Sequence, residues 1–201
     1  HEVKVVAEFS ANASNYTSLL VNYLYLDTDE RRRFAQVSHE YLIEQVQHTG
    51  AESIAAAGAK SITLTFNHPV KALFWNGLSA DAATGVASYT AKLQLNGHDR
   101  FSEQSNMYFT GVQPYESGLK HTLSTGVSLT TASSGMYSFC LKPGEHQPSG
   151  TCNFSRIDNA RLVLNVTVGS GTFGAQTLNV FAMNYNVLRI MSGMGGLAYS
   201  N

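Results

Sequence analysis

The chain has 201 residues, with 13 Lys and Arg against 14 Asp and Glu, so its formal net charge at neutral pH is −1. Proteins that hold nucleic-acid phosphates normally carry a clustered basic surface, so this balance argues against direct binding of nucleic acid. Charged residues make up only 13% of the sequence, against roughly 25% in typical soluble domains, which indicates a surface that is neutral and polar or covered by partners. No apolar run reaches the ~18 residues that span a bilayer, so no transmembrane segment is predicted.

The first part of the sequence alternates apolar and polar side chains, which is the pattern of β-strands. Strands are predicted at residues 3–9 and 19–26, with a polar loop between them. A short helix is predicted next, because Asp27 can accept hydrogen bonds from the first turn while Glu30 reaches back to complete a capping box. The arginines after Glu30 lie where the helix dipole favours cations. We interpret residues 27–38 as a connector that carries this helix.

From His39 onward, short strand patterns recur and turn signals separate them. Asn96 and Gly97 give the strongest signal, because both central positions of a type I′ hairpin need positive φ, which these residues tolerate. Residues 50–60 and 115–134 are rich in small and polar residues and are predicted as surface loops. Many short strands without a long helix predict an all-β jelly-roll barrel or sandwich. The predicted strands cover residues 41–47, 61–66, 71–75, 91–95, 136–141, 161–168 and 177–190.

Candidate catalytic and metal-binding residues are few. The run from His39 to Ile43 begins like the HExxH zinc motif, but Ile43 stands where the second histidine should be and the run alternates like a strand. The seven histidines are dispersed, so we predict no metal site and no cofactor, although a pH-sensing group could form in the folded chain. The nucleophile and phosphate-binding motifs of common enzyme classes are also missing from the sequence, which favours a non-enzymatic protein.

A carbohydrate-binding, lectin-like jelly roll is the alternative function from another class. In that hypothesis Trp75, Tyr89 and Tyr115 stack on sugar rings. These aromatic residues are spread through the chain rather than gathered in one set of loops, which argues against the hypothesis. Core positions are the simpler interpretation for Trp75 and also for Tyr23 and Tyr25. A cupin-type enzyme is a third option, and the metal-ligand spacing it needs is missing.

Cysteine and asparagine side chains offer two kinds of covalent chemistry. Cys140 and Cys152 are predicted as free, partly buried thiols, and a disulfide across the loop between them stays open as an alternative. Asn12, Asn15 and Asn153 begin N-x-S/T sequons and are candidate glycosylation sites. A fourth sequon, in the predicted strand 161–168, is a poorer candidate because of its position in a strand.

The sequence ends with a long apolar strand that runs into a glycine-rich tail. A strand followed by backbone-permissive glycines is better suited to a terminus docked against a surface than to one free in solvent. The tail, residues 189–201, is therefore a candidate packing segment.

Five segments of the sequence carry a resemblance to a known family. They are residues 27–36, 39–45, 95–101, 147–159 (QPSGTCNFSRIDN) and 184–201. Together they resemble the major capsid proteins of large icosahedral double-stranded DNA viruses, and above all those of algal viruses and chloroviruses. Because the segments span nearly the whole chain in one order, the match is more specific than a single short motif.

The resemblance implies a longer chain of two tandem jelly rolls. Residues 1–26 would be the last strands of the first barrel, residues 27–38 the connector with its short helix, and residues 39–201 the second barrel. Since the sequence opens abruptly in strand-like residues without an initiator Met, we expect a parent chain roughly twice as long.

The resemblance also implies the biological role. Such chains would form homotrimers that act as pseudo-hexagonal capsomers, tile an icosahedral shell and contact neighbouring capsomers and minor capsid proteins. Assembly in the host cytoplasm and a final location in the virion are expected. The candidate assembly residues are Arg31, Arg32, Arg33, Arg156, Asp158, Arg189, Met191, Met194, Leu197 and Tyr199.

Overall fold

A computed structural model describes residues 4–7, 18–78, 86–119, 134–168 and 174–200. The chain forms two compact units. We call His1–Leu42 with Val187–Ser200 the terminal unit, and Ile43–Asn186 the sandwich unit.

Strands dominate the described chain, and helices are short. The helices are α1 (Thr28–Gln36), a π-helical turn (Tyr108–Val112), α2 (Gln113–Glu116) and a 3-10 turn (Phe154–Arg156). The strands are β1 (His39–Ile54), β2 (Gly58–Thr63), β3 (Pro69–Asn76), β4 (Val86–Leu95), β5 (His98–Asp99), β6 (Gln104–Ser105), β7 (Gly135–Ser138), β8 (Cys152–Asn153), β9 (Ala160–Val168), β10 (Gln176–Met191) and β11 (Met194–Leu197).

The strands form two sheets. Sheet A has the order β1-β10-β3-β7, with β11 paired to β10 and β8 paired to β3. Sheet B has the order β2-β9-β4-β5, with β6 paired to β4. Successive strands β1, β2, β3 and β4 alternate between the two sheets, as do β7, β9 and β10, with the short β8 added at the side of sheet A. This alternation in an antiparallel sandwich is the jelly-roll arrangement, so the predicted all-β jelly-roll class is confirmed.

The core of the sandwich unit lies between the sheets. Along β9, Leu162, Leu164 and Val166 are buried, while Arg161 and Asn165 on the alternate positions are exposed, as the period of two along a strand requires. Trp75 adds a large buried ring, which meets the ring of Phe109 edge to face at 5.2 Å. Removing a side chain such as Leu162 from water contributes about 1.5–3 kcal/mol to folding, so the two facing rows of apolar side chains provide the main stabilisation.

The hairpin between β4 and β5 has the turn that the sequence predicted. Leu95 pairs with His98, and the two residues between them have positive φ, 50° at Asn96 and 83° at Gly97. The turn is also fastened from outside, because the Asn96 N–H donates to the Asn159 carbonyl at 2.7 Å and the Asn159 N–H donates to Asn96 Oδ1 at 3.1 Å.

Two of the predicted elements were wrong. Residues 50–60 are mostly strand rather than loop, because β1 continues to Ile54 and β2 begins at Gly58. Pairing of β2 with β9 outweighs the weak β-propensity of Ala and Gly. Residues 19–26 have no regular structure, since no strand of the described chain pairs with them.

Further differences are at element ends. Predicted strands 61–66 and 136–141 end earlier, at Thr63 and Ser138. Residues 4–7 of the first predicted strand have no regular structure, and its ends lie outside the described residues. The predicted loop 115–134 begins inside α2, and residues 120–133 also lie outside the described part.

Candidate assembly surfaces

Helix α1 of the terminal unit begins as its sequence predicted. The Glu30 N–H donates to Asp27 Oδ1 at 3.0 Å, which caps the first turn. Arg31, Arg32 and Arg33 follow, and none of the residues of the helix is buried. Arg32 lies 3.6 Å from Asp29 in an exposed ion pair, a contact that contributes little to stability. The helix therefore presents three consecutive cationic side chains, on different faces, to solvent.

The tail of the terminal unit folds back as a hairpin. Strand β11 pairs with the end of β10 in a register that sets Met191 opposite Met194 and Leu188 opposite Leu197. The turn between them uses positive φ at Ser192 and Gly193. Arg189 donates to Glu40 Oε1 from both Nε, at 2.7 Å, and Nη2, at 2.6 Å. The predicted packing segment is thus ordered by its own hairpin and by an ion pair.

Apolar side chains of the terminal unit face solvent, and none of its described residues is buried. Tyr23 and Tyr25, predicted as core residues, are exposed because nothing in the described chain covers them, and their rings lie 6.5 Å apart. Large apolar areas on a protein surface are typical of interaction sites. The exposed apolar residues are Val5, Val6, Leu19, Leu20, Val21, Tyr23, Leu24, Tyr25, Leu26, Phe34, Val37, Tyr41, Leu42, Met191, Met194, Leu197 and Tyr199.

In the sandwich unit, the segment with Asn153 and Arg156 is fixed by local hydrogen bonds. Asn153 Oδ1 accepts from the Ser155 N–H at 3.0 Å, and Ser155 Oγ accepts from the His68 N–H at 2.8 Å. Phe154 inserts into the core between these two polar residues. The Asn-Phe-Ser sequence therefore has a structural role, because it caps the 3-10 turn and ties it to the turn before β3.

Beside that 3-10 turn lies an open polar groove. Asp158 lines it, together with residues 63–67 and the start of β9. Arg161 Nε donates to Asn159 Oδ1 at 3.0 Å along one wall. Arg156 and Asp158 are exposed, and neither has an ion-pair partner within the described parts of the chain. Both charges thus remain available to another molecule.

The aromatic residues of the carbohydrate hypothesis do not form a site. Trp75 is 1% exposed and Tyr89 is equally enclosed, with Trp75 Nε1 donating to Tyr89 Oη at 3.1 Å. Burial raises the pKa of Tyr89 to about 12, and the hydrogen bond from Trp75 only partly opposes this shift. Of the three, only Tyr115 is exposed, with 87% of its surface in solvent. The three rings therefore cannot stack on one sugar.

The residues considered for metal binding or thiol chemistry do not form a metal site or a disulfide within the described chain. His39 lies on a strand, with its ring 4.9 Å from that of Phe34, so it does not form part of a helical zinc motif. No group of three or more His, Cys, Asp or Glu residues in the described ranges could hold a metal ion. Cys140 and Cys152 are free thiols, as predicted. Burial raises the pKa of the Cys152 thiol, and the nearby Arg100 opposes this shift.

The candidate glycosylation sites differ in what the structure shows of them. Asn12 and Asn15 lie outside the described residues. Asn153 is exposed, but its side chain is used as a cap. Asn165, the poorer candidate, is exposed on the outer side of sheet B.

A buried lysine is the polar feature that sequence reasoning missed. Lys71 of β3 has no exposed surface, and its Nζ donates to Glu44 Oε1 at 2.5 Å and to the Glu145 carbonyl at 2.9 Å. The ammonium also lies 4.9 Å from the centre of the Tyr185 ring. A lysine inside the apolar run 70–75 was the one available signal in the sequence.

The electrostatics of Lys71 favour its charged form. Burial acts to lower the pKa of this lysine, but the hydrogen bonds and charge interactions with Glu44 and Tyr185 outweigh burial, and the pKa is raised. Lys71 is therefore an ammonium ion that is held inside the fold by its acceptors.

The fold places this chain among viral jelly-roll capsid proteins. It aligns with the Paramecium bursaria Chlorella virus 1 capsid structure at a TM-score of 0.72 and 40% identity, over 88% of this chain and 55% of that chain. The Faustovirus major capsid protein aligns at a TM-score of 0.63 over 83% of this chain and 36% of that chain, but with 13% identity that likeness concerns the fold alone.

The sequence narrows this class to one family. Residues 30–196 match the family described as the large eukaryotic DNA virus major capsid protein, and the chain belongs to that family. The major capsid protein of Pyramimonas orientalis virus is 49% identical over the whole chain and 55% of its own length. That of Paramecium bursaria Chlorella virus 1 is 43% identical over 92% of the chain and 54% of its own length. The chain therefore spans about half the length of these relatives.

None of the described helices combines the length and the apolar character needed to cross a membrane.

Proposed function

We propose that the protein is a structural subunit of an icosahedral virus shell and that it is not an enzyme. The observation that carries this proposal is the 49% identity to a major capsid protein over the whole of this chain. In this role it is located in the virion, after assembly in the host cytoplasm. The folded jelly roll supplies a rigid block, and its functional surfaces are those that contact other capsid components.

For the domain organisation, we propose that residues 1–26 belong to a first jelly roll, residues 27–38 connect the barrels, and residues 39–201 contribute the second. The exposed apolar side chains of the terminal unit support this arrangement, because segments rich in Leu and Tyr form stable strands only when a partner covers them. A first barrel, formed by a longer parent chain, would provide that cover.

The subunit is proposed to form homotrimers with a pseudo-hexagonal outline, which pack against neighbouring capsomers and minor capsid proteins. The weakly charged composition supports close approach of broad surfaces, since few charges need to lose their hydration. The proposed contact residues are the exposed arginines 31–33 of α1, the unpaired Arg156 and Asp158, Arg189 and the apolar side chains of the tail.

The test is the mass of the full-length parent protein in solution, measured by light scattering after size exclusion, with negative-stain images of the same peak. The expected result is a trimer with a pseudo-hexagonal outline. A monodisperse monomer that stays soluble at high concentration would overturn the proposal.

A truncation sharpens this test. Deleting residues 191–201 removes the exposed Met191, Met194, Leu197 and Tyr199, and should weaken trimer formation. A matched control is Tyr115→Ser, which removes an exposed aromatic residue from the sandwich unit. Unchanged trimer mass after the truncation would show that the tail is not a contact.

A further inference from the structure

The loop between β7 and β8 is held in one conformation by hydrogen bonds within it. The Leu141 N–H donates to the Ser149 carbonyl at 3.4 Å, and the Lys142 N–H donates to Ser149 Oγ at 3.0 Å. The Glu145 N–H donates to the Lys142 carbonyl at 3.3 Å. The loop presents Leu141 to solvent with 76% of its surface exposed. The loop is therefore ordered by its own hydrogen bonds while it leaves an apolar side chain exposed.

Lys71 fastens this loop to sheet A. Its Nζ joins the Glu145 carbonyl of the loop to the Glu44 carboxylate of β1. From β10, Tyr185 covers the ammonium with its ring and donates from Oη to the His146 carbonyl at 3.2 Å. A buried ammonium without acceptors is strongly unfavourable, so the loop cannot leave without uncovering Lys71 or depriving it of an acceptor.

His146 brings a titratable group to the same carboxylate. Its Nδ1 lies 3.7 Å from Glu44 Oε1, the oxygen that Lys71 contacts, and its side chain is 61% exposed. The other charged groups of the loop, Lys142 and Glu145, pair with each other at 3.1 Å. Imidazole side chains in general change charge between neutral pH and mild acid, so the geometry allows a pH-dependent ion pair with Glu44.

We propose that Lys71 and Glu44 form a latch that closes the 141–149 loop onto sheet A, and that protonation of His146 tightens this latch. When His146 is neutral, the Glu44 carboxylate pairs with one cation, Lys71. When His146 is protonated, the carboxylate pairs with two cations, and the second cation belongs to the loop itself. Mild acid therefore favours the closed loop, and neutral pH favours its opening.

The expected size of the pH effect on loop opening follows from the exposure of the His146 side chain. An ion pair at the surface shifts a local equilibrium about two- to five-fold, because water screens it. Opening of the loop should accordingly be about two- to five-fold rarer at pH 5.5 than at pH 7.5.

Hydrogen exchange of the Leu141, Lys142 and Glu145 amides in the full-length protein tests the latch. Rates are compared at pH 5.5 and 7.5 after correction for the intrinsic pH dependence of exchange. We expect slower corrected exchange at pH 5.5 in the unmodified protein and no difference in His146→Gln. Because His146 is largely exposed, this variant should fold normally.

Two further variants complete the test. Glu44→Gln should abolish the pH difference and speed exchange of the loop at both pH values, by about ten-fold or more, since Lys71 loses its charged partner. His48 is a histidine of β1 that takes no part in the latch. The control variant His48→Gln should therefore leave the pH difference intact. An unaltered pH difference in His146→Gln, or unaltered loop exchange in a folded Glu44→Gln, would overturn the proposal. These readings do not depend on trimer formation, so they separate the latch from the proposed capsid role.

Discussion

The sandwich unit and the terminal unit use their apolar residues in opposite ways. Every buried apolar residue of the described chain lies between Ile54 and Tyr185, inside the sandwich unit. The terminal unit contains runs such as Leu19–Leu20–Val21 and Leu24–Tyr25–Leu26, yet it buries none of them. Apolar alternation alone therefore does not make a core, because a strand needs a neighbouring strand and a facing sheet to cover it.

The largest expected effect is a truncation in the core of the sandwich unit. Trp75→Ala removes a ring that packs against Phe109 and donates a hydrogen bond to Tyr89, and should lower the free energy of unfolding by about 4 kcal/mol. Chemical denaturation measures this loss. Tyr115→Ala, the exposed counterpart, should change the free energy by less than ~0.5 kcal/mol. Equal losses in the two variants would contradict the assignment of the core.

A charge removed from the latch should have the next largest effect. Glu44→Gln leaves Lys71 without its anionic partner, and should lower the free energy of unfolding by about 2 kcal/mol. That value is below the range for fully buried pairs, because Glu44 is partly exposed and Gln keeps an acceptor oxygen. Denaturation at pH 7 measures the effect, with Glu103→Gln as the exposed control. A stability equal to that of the unmodified protein would show that Lys71 is satisfied without Glu44.

Alkaline pH tests the same pair without a change of sequence. The pKa of Lys71 is raised in the folded state, so its contribution is fully present below the ordinary pKa of lysine and is lost as pH rises through the raised value. Stability should therefore fall at strongly alkaline pH by more in the unmodified protein than in Lys71→Met. Parallel pH profiles of the two proteins between pH 9 and 12 would exclude this linkage.

A smaller loss is expected at the cap of the 3-10 turn. Asn153→Ala removes the acceptor for the Ser155 N–H and should cost about 1 kcal/mol, the usual size of a lost cap. Asn153→Asp keeps an acceptor oxygen and is the matched control. Thermal unfolding distinguishes them, and an equal decrease in both variants would mean that the side chain acts in some other way.

The smallest effect on unfolding is expected in the terminal unit. Leu20→Ser and Leu24→Ser change residues that are more than nine-tenths exposed, so unfolding of this chain should change by less than ~0.5 kcal/mol. In the full-length parent, the same changes should weaken folding or trimer formation, because a first barrel would bury these side chains. Denaturation of this chain and light scattering of the parent provide the two readings. A clearly lower free energy of unfolding of this chain in either variant would contradict the exposed positions of Leu20 and Leu24.

The features that could be predicted from the sequence are those that depend on interactions between neighbouring residues. The Asn96-Gly97 turn, the Asp27 cap and the all-β pattern depend on residues close in sequence, and each was predicted correctly. The start of β2, inside the predicted loop 50–60, was missed because β2 forms by pairing with β9, about a hundred residues away in sequence. Lys71 was missed for the same reason, since its partner Glu44 lies on another strand.

The double hydrogen bond between Asn96 and Asn159 has a thermodynamic consequence. It links a hairpin tip to the segment that leads from the 3-10 turn into β9, across 63 positions of sequence. Neighbours that share such contacts do not respond independently to substitution, and their coupling energies are about 0.5–3 kcal/mol. The two asparagines should therefore tolerate replacement together better than the sum of the single replacements suggests. Evolutionary substitution at one of these two positions is then constrained by the residue that occupies the other position.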